Sequence, residues 1–351
     1  LGGLLALPTA RVYLLTWREF SLFPDDLPLS MPLFGIPATI LVTALFSVLG
    51  GLGAARRAAN IPEMQALREA SSPRTRTKLW QWIAAGFFLI PVILIPILIN
   101  FAPETLQNDN TPRMPNLPAK ANSPDFESPG DRAVLGGGIG LMATLAALFI
   151  PNWTLRPLLI GWTSLIPGRN PAWFAARANA RHRSAFSLTT IVPFAIAVAM
   201  TGVFYTVANA GRAAGGMNGG VNGFLTIMVP IFFVAGAGGV ANIAMVGRTR
   251  RQEGALLGVI GARSGTILGS TVLEGAIYAI TGILFGLAMT LLSAISAALM
   301  SGGGMEVFIG SIPVTTLLPA IGASLVLAIT TTWLPAQLDR RPVMENLRQP
   351  V

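Results

Sequence analysis

Eight apolar runs constrain the fold of this chain more than any other feature of its sequence. They lie at 1–17, 32–53, 79–101, 133–151, 184–208, 222–247, 267–300 and 313–334. All but the first reach the roughly 20 residues that a helix needs to cross the hydrocarbon core of a bilayer. Only 11% of the 351 residues are charged, whereas a soluble domain carries about 25%. The sequence therefore predicts an all-α membrane protein built as a polytopic helical bundle.

Details of three runs refine this prediction. The run 1–17 is short and follows no basic residue, so we expect the tail of a helix that begins before Leu1 rather than a signal peptide. The run 267–300 is longer than a bilayer requires, which predicts a tilt or a projection beyond the surface. Prolines inside the runs predict kinks at Pro91, Pro96, Pro193 and Pro230.

The distribution of Lys and Arg predicts the orientation. The segments 54–78, 152–183 and 248–263, together with the C-terminal tail, hold 18 basic residues, while the alternate links hold five basic and nine acidic residues. Because basic loops stay inside, we expect a multi-pass protein of the cell membrane whose C-terminus is cytoplasmic. The tryptophans expected at the inner interface are Trp80, Trp82, Trp153 and Trp333.

The residue inventory excludes several kinds of chemistry. The chain has no Cys and one His, which excludes disulfides, thiolate metal sites and a His-pair metal site. Neither lysine lies in a phosphate-binding G-x-x-x-x-G-K-[ST] loop. The basic excess is explained by loop orientation, so nucleic-acid binding has no support. We therefore expect no enzyme activity and no metal.

The two ends of the chain repeat each other at an offset of 280 residues. Gly282-x-x-x-Gly286 falls over Gly2-x-x-x-Ala6, a pattern of small residues that predicts close helix packing. A polar link, an apolar helix and a basic stretch follow in both copies. The basic stretches share identical residues, which are Pro62, Leu67 and Arg68 in the first and Pro342, Leu347 and Arg348 in the second.

The repeat divides the chain into three parts. We expect the end of an incomplete first repeat at 1–70, a two-span insertion at 79–152 and a complete second repeat at 170–351. The insertion carries a polar external loop at 102–132, and the second repeat has only a short external link at 209–221. Parallel repeats of this kind are common in transporters.

Two cytoplasmic segments have the pattern of interfacial helices. Segment 248–263 begins polar and ends apolar, which suits either a helix that meets a partner or an arginine anchor in the lipid headgroups. In segment 170–185, Asn170-Pro171 can start a helix and Arg177 and Arg181 share one face, which predicts an elbow before the next span.

Two features inside the runs have competing interpretations. Glu274 is the only acid within a span, and either a structural hydrogen bond or a proton- or substrate-coupling role is open, the first being favoured. The sequence from Gly136 to Gly140 looks like a nucleotide loop, but it begins a span, so helix packing explains it better.

These motifs together resemble the FtsX-like permease family, the membrane subunits of ABC transporters of the MacB and LolC/LolE type, and in particular its ten-span members. The coupling segment of that family is similar to Arg250-x-x-Glu253-x-x-x-Leu257-x-x-x-Gly261-Ala262. Arg177-x-Asn179-x-Arg181 is similar to its elbow, and the terminal motifs and Glu274 also match. The resemblance covers 1–70 and 170–351.

The resemblance implies a permease that works with a separate cytoplasmic ABC ATPase, which binds the ATP, so that the chain itself holds no cofactor. The residues Arg250, Arg251, Glu253, Leu257 and Gly261 would meet this ATPase. Further partners would be membrane lipids and a second permease copy or a paralogue. The output would be export or mechanotransmission to the outer side. An ion- or proton-coupled secondary transporter and an FtsX-like regulatory scaffold are the alternatives.

Overall fold

A computed structural model describes residues 77–101, 128–168, 170–182, 184–215 and 261–338, with isolated positions between 35 and 52. Within these residues the structure is helical and contains no strand. The helices are α1 (Leu79–Phe101), α2 (Pro129–Phe149), α3 (Pro151–Leu165), α4 (Pro171–His182), α5 (Ser184–Ala213), α6 (Ser264–Ser301), α7 (Gly304–Ser311) and α8 (Val314–Leu338). The prediction of an all-α fold is confirmed.

Local sequence signals begin and end several of these helices. Ser128 precedes α2 and its hydroxyl oxygen accepts from the Asp131 backbone N–H at 3.1 Å, which caps the helix. Asn170 caps α4 in the same way, because its Oδ1 accepts from the Ala172 N–H at 2.9 Å. At the end of α6, Gly302 has a φ of 69°, the left-handed conformation that terminates helices.

Five stretches of helix are long and apolar enough to cross a membrane. They are Leu79–Ile97, Pro129–Phe149, Ser187–Ala213, Ser264–Ser301 and Gly304–Trp333. They correspond to five of the predicted spans, which confirms the polytopic helical arrangement. The described positions between 35 and 52 are also helical, while the runs 1–17 and 222–247 lie outside the described residues.

The chain forms two compact units, Leu1–Arg74 and Thr75–Val351. In the second unit, α6 lies at the centre and packs against α2, α3, α4, α5, α7 and α8. The main core lies where α3, α4, α5 and α6 meet. The largest of its fully buried aliphatic side chains are Leu155, Leu159, Ile191 and Ile277.

Two glycines allow α6 to approach α5 at backbone distance. A Cβ atom on Gly282 would lie 2.8 Å from the Ala195 nitrogen, and one on Gly286 would lie 2.6 Å from Val198 Cγ1. Side-chain carbons do not approach so closely, so α5 and α6 could not pack in this way with larger residues. The close packing predicted for Gly282-x-x-x-Gly286 is confirmed.

The glycine-rich start of α2 packs on the C-terminal half of the same α6 helix. The Ser293 hydroxyl donates to the Gly137 carbonyl oxygen at 2.9 Å, and the Ser296 hydroxyl donates to that of Gly136 at 2.6 Å. A Cβ on Gly140 would lie 2.6 Å from the Cα atom of Ser293. Helix packing, rather than nucleotide binding, is therefore the role of this sequence.

All of the α3 helix after Pro151 lies within segment 152–183, which the charge pattern predicts to be cytoplasmic. Leu155, Leu159 and Thr163 recur every four residues and are almost fully buried, so α3 presents one face to the core. Trp162 extends this contact, since its indole N–H donates to Thr281 Oγ1 on α6 at 2.9 Å. The segment 152–166 is thus part of the packed bundle.

Candidate functional site: the elbow junction

A partly buried polar junction surrounds the α4 helix. We call it the elbow junction and define it as the C-terminal end of α3, the whole of α4, Ser187 on α5, and Glu274 and Tyr278 on α6. The α4 helix is the elbow that the sequence predicts, and it begins at Pro171 as expected. Two groups of hydrogen bonds hold it, one towards α3 and one towards α5 and α6.

Towards α3, two arginines bind the end of the helix. Arg177 Nη1 donates to the carbonyl oxygens of Thr163 and Ile166 at 3.5 and 3.3 Å. Arg181 Nη2 donates to the Ile160 carbonyl oxygen at 2.9 Å, and Arg181 Nε and Nη2 both donate to Thr163 Oγ1, at 3.1 and 2.9 Å. Both arginines predicted to share a face of α4 therefore contact the same end of α3.

The electrostatics of this contact are favourable for the helix. The last carbonyl groups of a helix have no partner within it and carry the negative end of its dipole. Two guanidinium groups supply donors and positive charge at this point. Burial, and then the neighbouring Arg177 charge, lower the pKa of Arg181, so the hydrogen bonds to α3 have to offset both desolvation and repulsion between the two cations.

Towards α6, the opposite side of α4 carries only small residues. Ala172, Ala176 and Ala180 recur every four residues and are buried. They bring the α4 backbone close to the first turns of α6, where a Cβ on Gly269 would be 3.4 Å from Ala172 Cβ. This close approach places the Ala180 carbonyl oxygen within reach of α5.

A line of polar contacts continues from that carbonyl group into α6. The Ser187 hydroxyl donates to the Ala180 carbonyl oxygen at 2.8 Å, and Ser187 Oγ lies 3.2 Å from the Tyr278 hydroxyl. The Tyr278 hydroxyl donates to Glu274 Oε1 at 2.5 Å. Glu274 is 6% exposed, so this acid is held within protein. The arrangement agrees with the structural interpretation of Glu274.

Comparison with family models identifies the C-terminal part of the chain. Residues 225–341 match the model described as FtsX-like permease C-terminal. These residues are therefore identified as an FtsX-like permease domain. Comparison with curated proteins and with solved structures gave no match. At the level of the family, this domain indicates a membrane subunit of the ABC-transporter type.

The predicted coupling segment 248–263 lies within the matched residues, and the structure describes only its end. Gly261, its last glycine, lies in a turn with a φ of 94° three residues before α6 begins. The other predicted coupling residues, Arg250, Arg251, Glu253 and Leu257, lie outside the described residues. The terminal motifs also lie outside them, namely Pro62, Leu67, Arg68, Pro342, Leu347 and Arg348.

Sequence reasoning missed three residues of the elbow junction, which are Thr163, Ser187 and Tyr278. Tyr278 follows Glu274 by one helical turn, and this spacing alone could have identified it as a partner of the buried acid. Thr163 and Ser187 gave no comparable signal, because serine and threonine are common in membrane helices, where they bond to backbone carbonyl groups.

Proposed function

We propose that this FtsX-like permease subunit works with a separate cytoplasmic ABC ATPase and carries its motion to the outer side of the membrane. The partner binds and hydrolyses the ATP, and the chain itself needs no cofactor. The basic segments and the C-terminus lie on the cytoplasmic side, where the ATPase meets segment 248–263. The output is export or mechanical work on the outer side.

The observation that carries this proposal is the continuity of α6. This helix has 38 residues, which corresponds to about 57 Å at 1.5 Å per residue, well beyond the ~30 Å of hydrocarbon. It contains no proline and begins directly after the turn at Gly261. A displacement of the coupling segment would therefore act on one unbroken helix that reaches the far side.

The distribution of charge favours transmission over a polar channel. In the described spans, every charged side chain other than Glu274 lies in the first or last turn of its helix. A pathway for a hydrophilic substrate would need polar groups along its length. Glu274 is already bonded to Tyr278, so it contributes little to such a pathway.

Purification of the tagged chain from its native membranes tests the proposal. An ABC ATPase should co-purify, as identified by mass spectrometry, and the complex should hydrolyse ATP. Glu253→Lys and Leu257→Pro should abolish co-purification, because they alter the charge and the helical geometry of the coupling segment. Glu306→Lys, the same charge change in α7, and the conservative Leu257→Met are the controls. Unchanged assembly of the first two variants would contradict the proposal.

A further inference from the structure

We infer that Arg177 and Arg181 are positioning residues that lock the elbow helix α4 to the two-span insertion, through the end of α3. This inference rests on the proposed function, since it names the part of the permease that has to move with the elbow. It changes the role of the insertion. The insertion and α3, which we together call the brace, hold the second repeat in position instead of lying beside it as an accessory.

Arg177 and Arg181 together donate five hydrogen bonds to the end of α3. The two arginines contact three carbonyl groups spaced three residues apart at the end of α3, those of Ile160, Thr163 and the C-cap residue Ile166. Thr163 has no solvent exposure, and its hydroxyl donates to the Leu159 carbonyl oxygen at 2.5 Å while it accepts from Arg181. A lipid anchor would instead direct its guanidinium groups at headgroups, so these two side chains have a different role.

The α3 helix, which the arginines contact, is itself held rigidly by α2 and α6. Only Ile150 separates α2 from α3, and the Thr154 hydroxyl bridges the junction by donating to the Ala147 carbonyl oxygen at 2.8 Å. Gly136 in α2 packs against Ser296, and Trp162 in α3 bonds to Thr281. The brace therefore follows α6 from residue 296 to residue 281, about 22 Å of helix.

Aromatic side chains also connect α2 and α3 to α1. Trp82 on α1 and Trp153 on α3 are in edge-to-face contact with ring centroids 5.7 Å apart, and Trp80 meets Phe149 at 6.3 Å. Such contacts favour one relative position of the helices. An elbow that moves while the arginine bonds persist must carry α3 with it, and α3 is fixed to α1, α2 and α6.

Spin labels provide a direct test, because the chain has no cysteine of its own. We choose Leu165→Cys at the end of α3 and Phe174→Cys on α4, which are 82% and 58% exposed. In the purified permease alone, the distance distribution between these labels should be narrow. In the Arg177→Ala/Arg181→Ala variant it should become broad, and Arg181→Lys should give an intermediate width because lysine cannot donate bidentately.

The matched control is Arg156→Ala, since Arg156 is an exposed arginine on α3 and its removal changes the charge as much as each single replacement in the double variant does. It should leave the distribution narrow. A narrow distribution in the double variant, or equal broadening by the control, would overturn the inference. This distance measurement needs no ATPase, so it tests the inference even if no ATPase co-purifies and the proposed function fails.

A second pair of labels distinguishes a loss of ATP-driven motion from a loss of protein stability. Phe174→Cys and Leu299→Cys, the latter 77% exposed near the end of α6, should report an ATP-dependent distance change in the purified complex. The double arginine variant should still co-purify with the ATPase but should lose this change. A normal ATP-dependent change in that variant would contradict the positioning role, whatever its thermal stability.

Discussion

The contact between α2 and α6 makes a quantitative prediction about two neighbouring glycines. A Cβ on Gly140 would lie 2.6 Å from Ser293 Cα, whereas a Cβ on Gly138 would meet nothing within 4 Å. Replacement of either glycine by alanine adds helix propensity, about 0.5–1 kcal/mol. Only Gly140→Ala also overpacks the interface, at a cost of about 1–3 kcal/mol. Because the propensity gain is common to both, their difference in stability isolates the packing cost.

Thermal unfolding of the purified protein in detergent, followed by circular dichroism, measures this difference. Gly138→Ala should unfold at or above the temperature of the parent protein. Gly140→Ala should unfold about 2–12 °C below Gly138→Ala, at roughly 2–4 °C per kcal/mol. The second-site change Ser293→Gly should restore part of the loss, since it removes the Ser293 Cβ and Oγ atoms, which the new Cβ would also meet. Equal melting temperatures for the two alanine variants would refute the backbone contact between α2 and α6.

Three further predictions concern polar and strained positions. Tyr278→Phe should lower the free energy of unfolding, measured by chemical denaturation, by about 1–3 kcal/mol because buried Glu274 loses a donor. The control is Tyr205→Phe, which should cost nothing, since Tyr205 is equally buried but has no hydrogen-bond partner in the described structure. Equal losses of stability in the two variants would contradict the role of the bond. Gly261→Ala should lower the unfolding temperature because its φ is 94°, whereas Gly265→Ala, with open space around it, should not. Proteoliposomes of the chain alone should show no proton flux in a pH-dye assay, and a flux that Glu274→Gln abolished would favour the ion-coupled transporter instead.

The helices that cross the bilayer could be predicted from the sequence because their signal is simple. Around twenty uncharged apolar residues leave few other structures in lipid. The α3 helix could not be predicted in this way, since Arg156 and Pro157 interrupt its apolar pattern and it has only 15 residues. Its burial depends on a surface formed by α4, α5 and α6, which no local pattern describes.

The elbow junction could be predicted in part. The spacing of Arg177 and Arg181 correctly placed them on one face of α4, and the start of α4 at Pro171 follows from its local sequence. Their partners could not be predicted, because a backbone carbonyl group is the same in every residue. Only the fold determines which carbonyl groups at the end of α3 lie within reach of a guanidinium group.

The glycine contact between α2 and α6 also limits how a membrane-dissolved molecule could reach the interior of the bundle. The Gly136 and Gly137 carbonyl oxygens accept from serines of α6, so the two backbones touch along this seam. An acyl chain has no gap there to pass through. A lateral opening for a lipid-like substrate would have to form at another pair of helices.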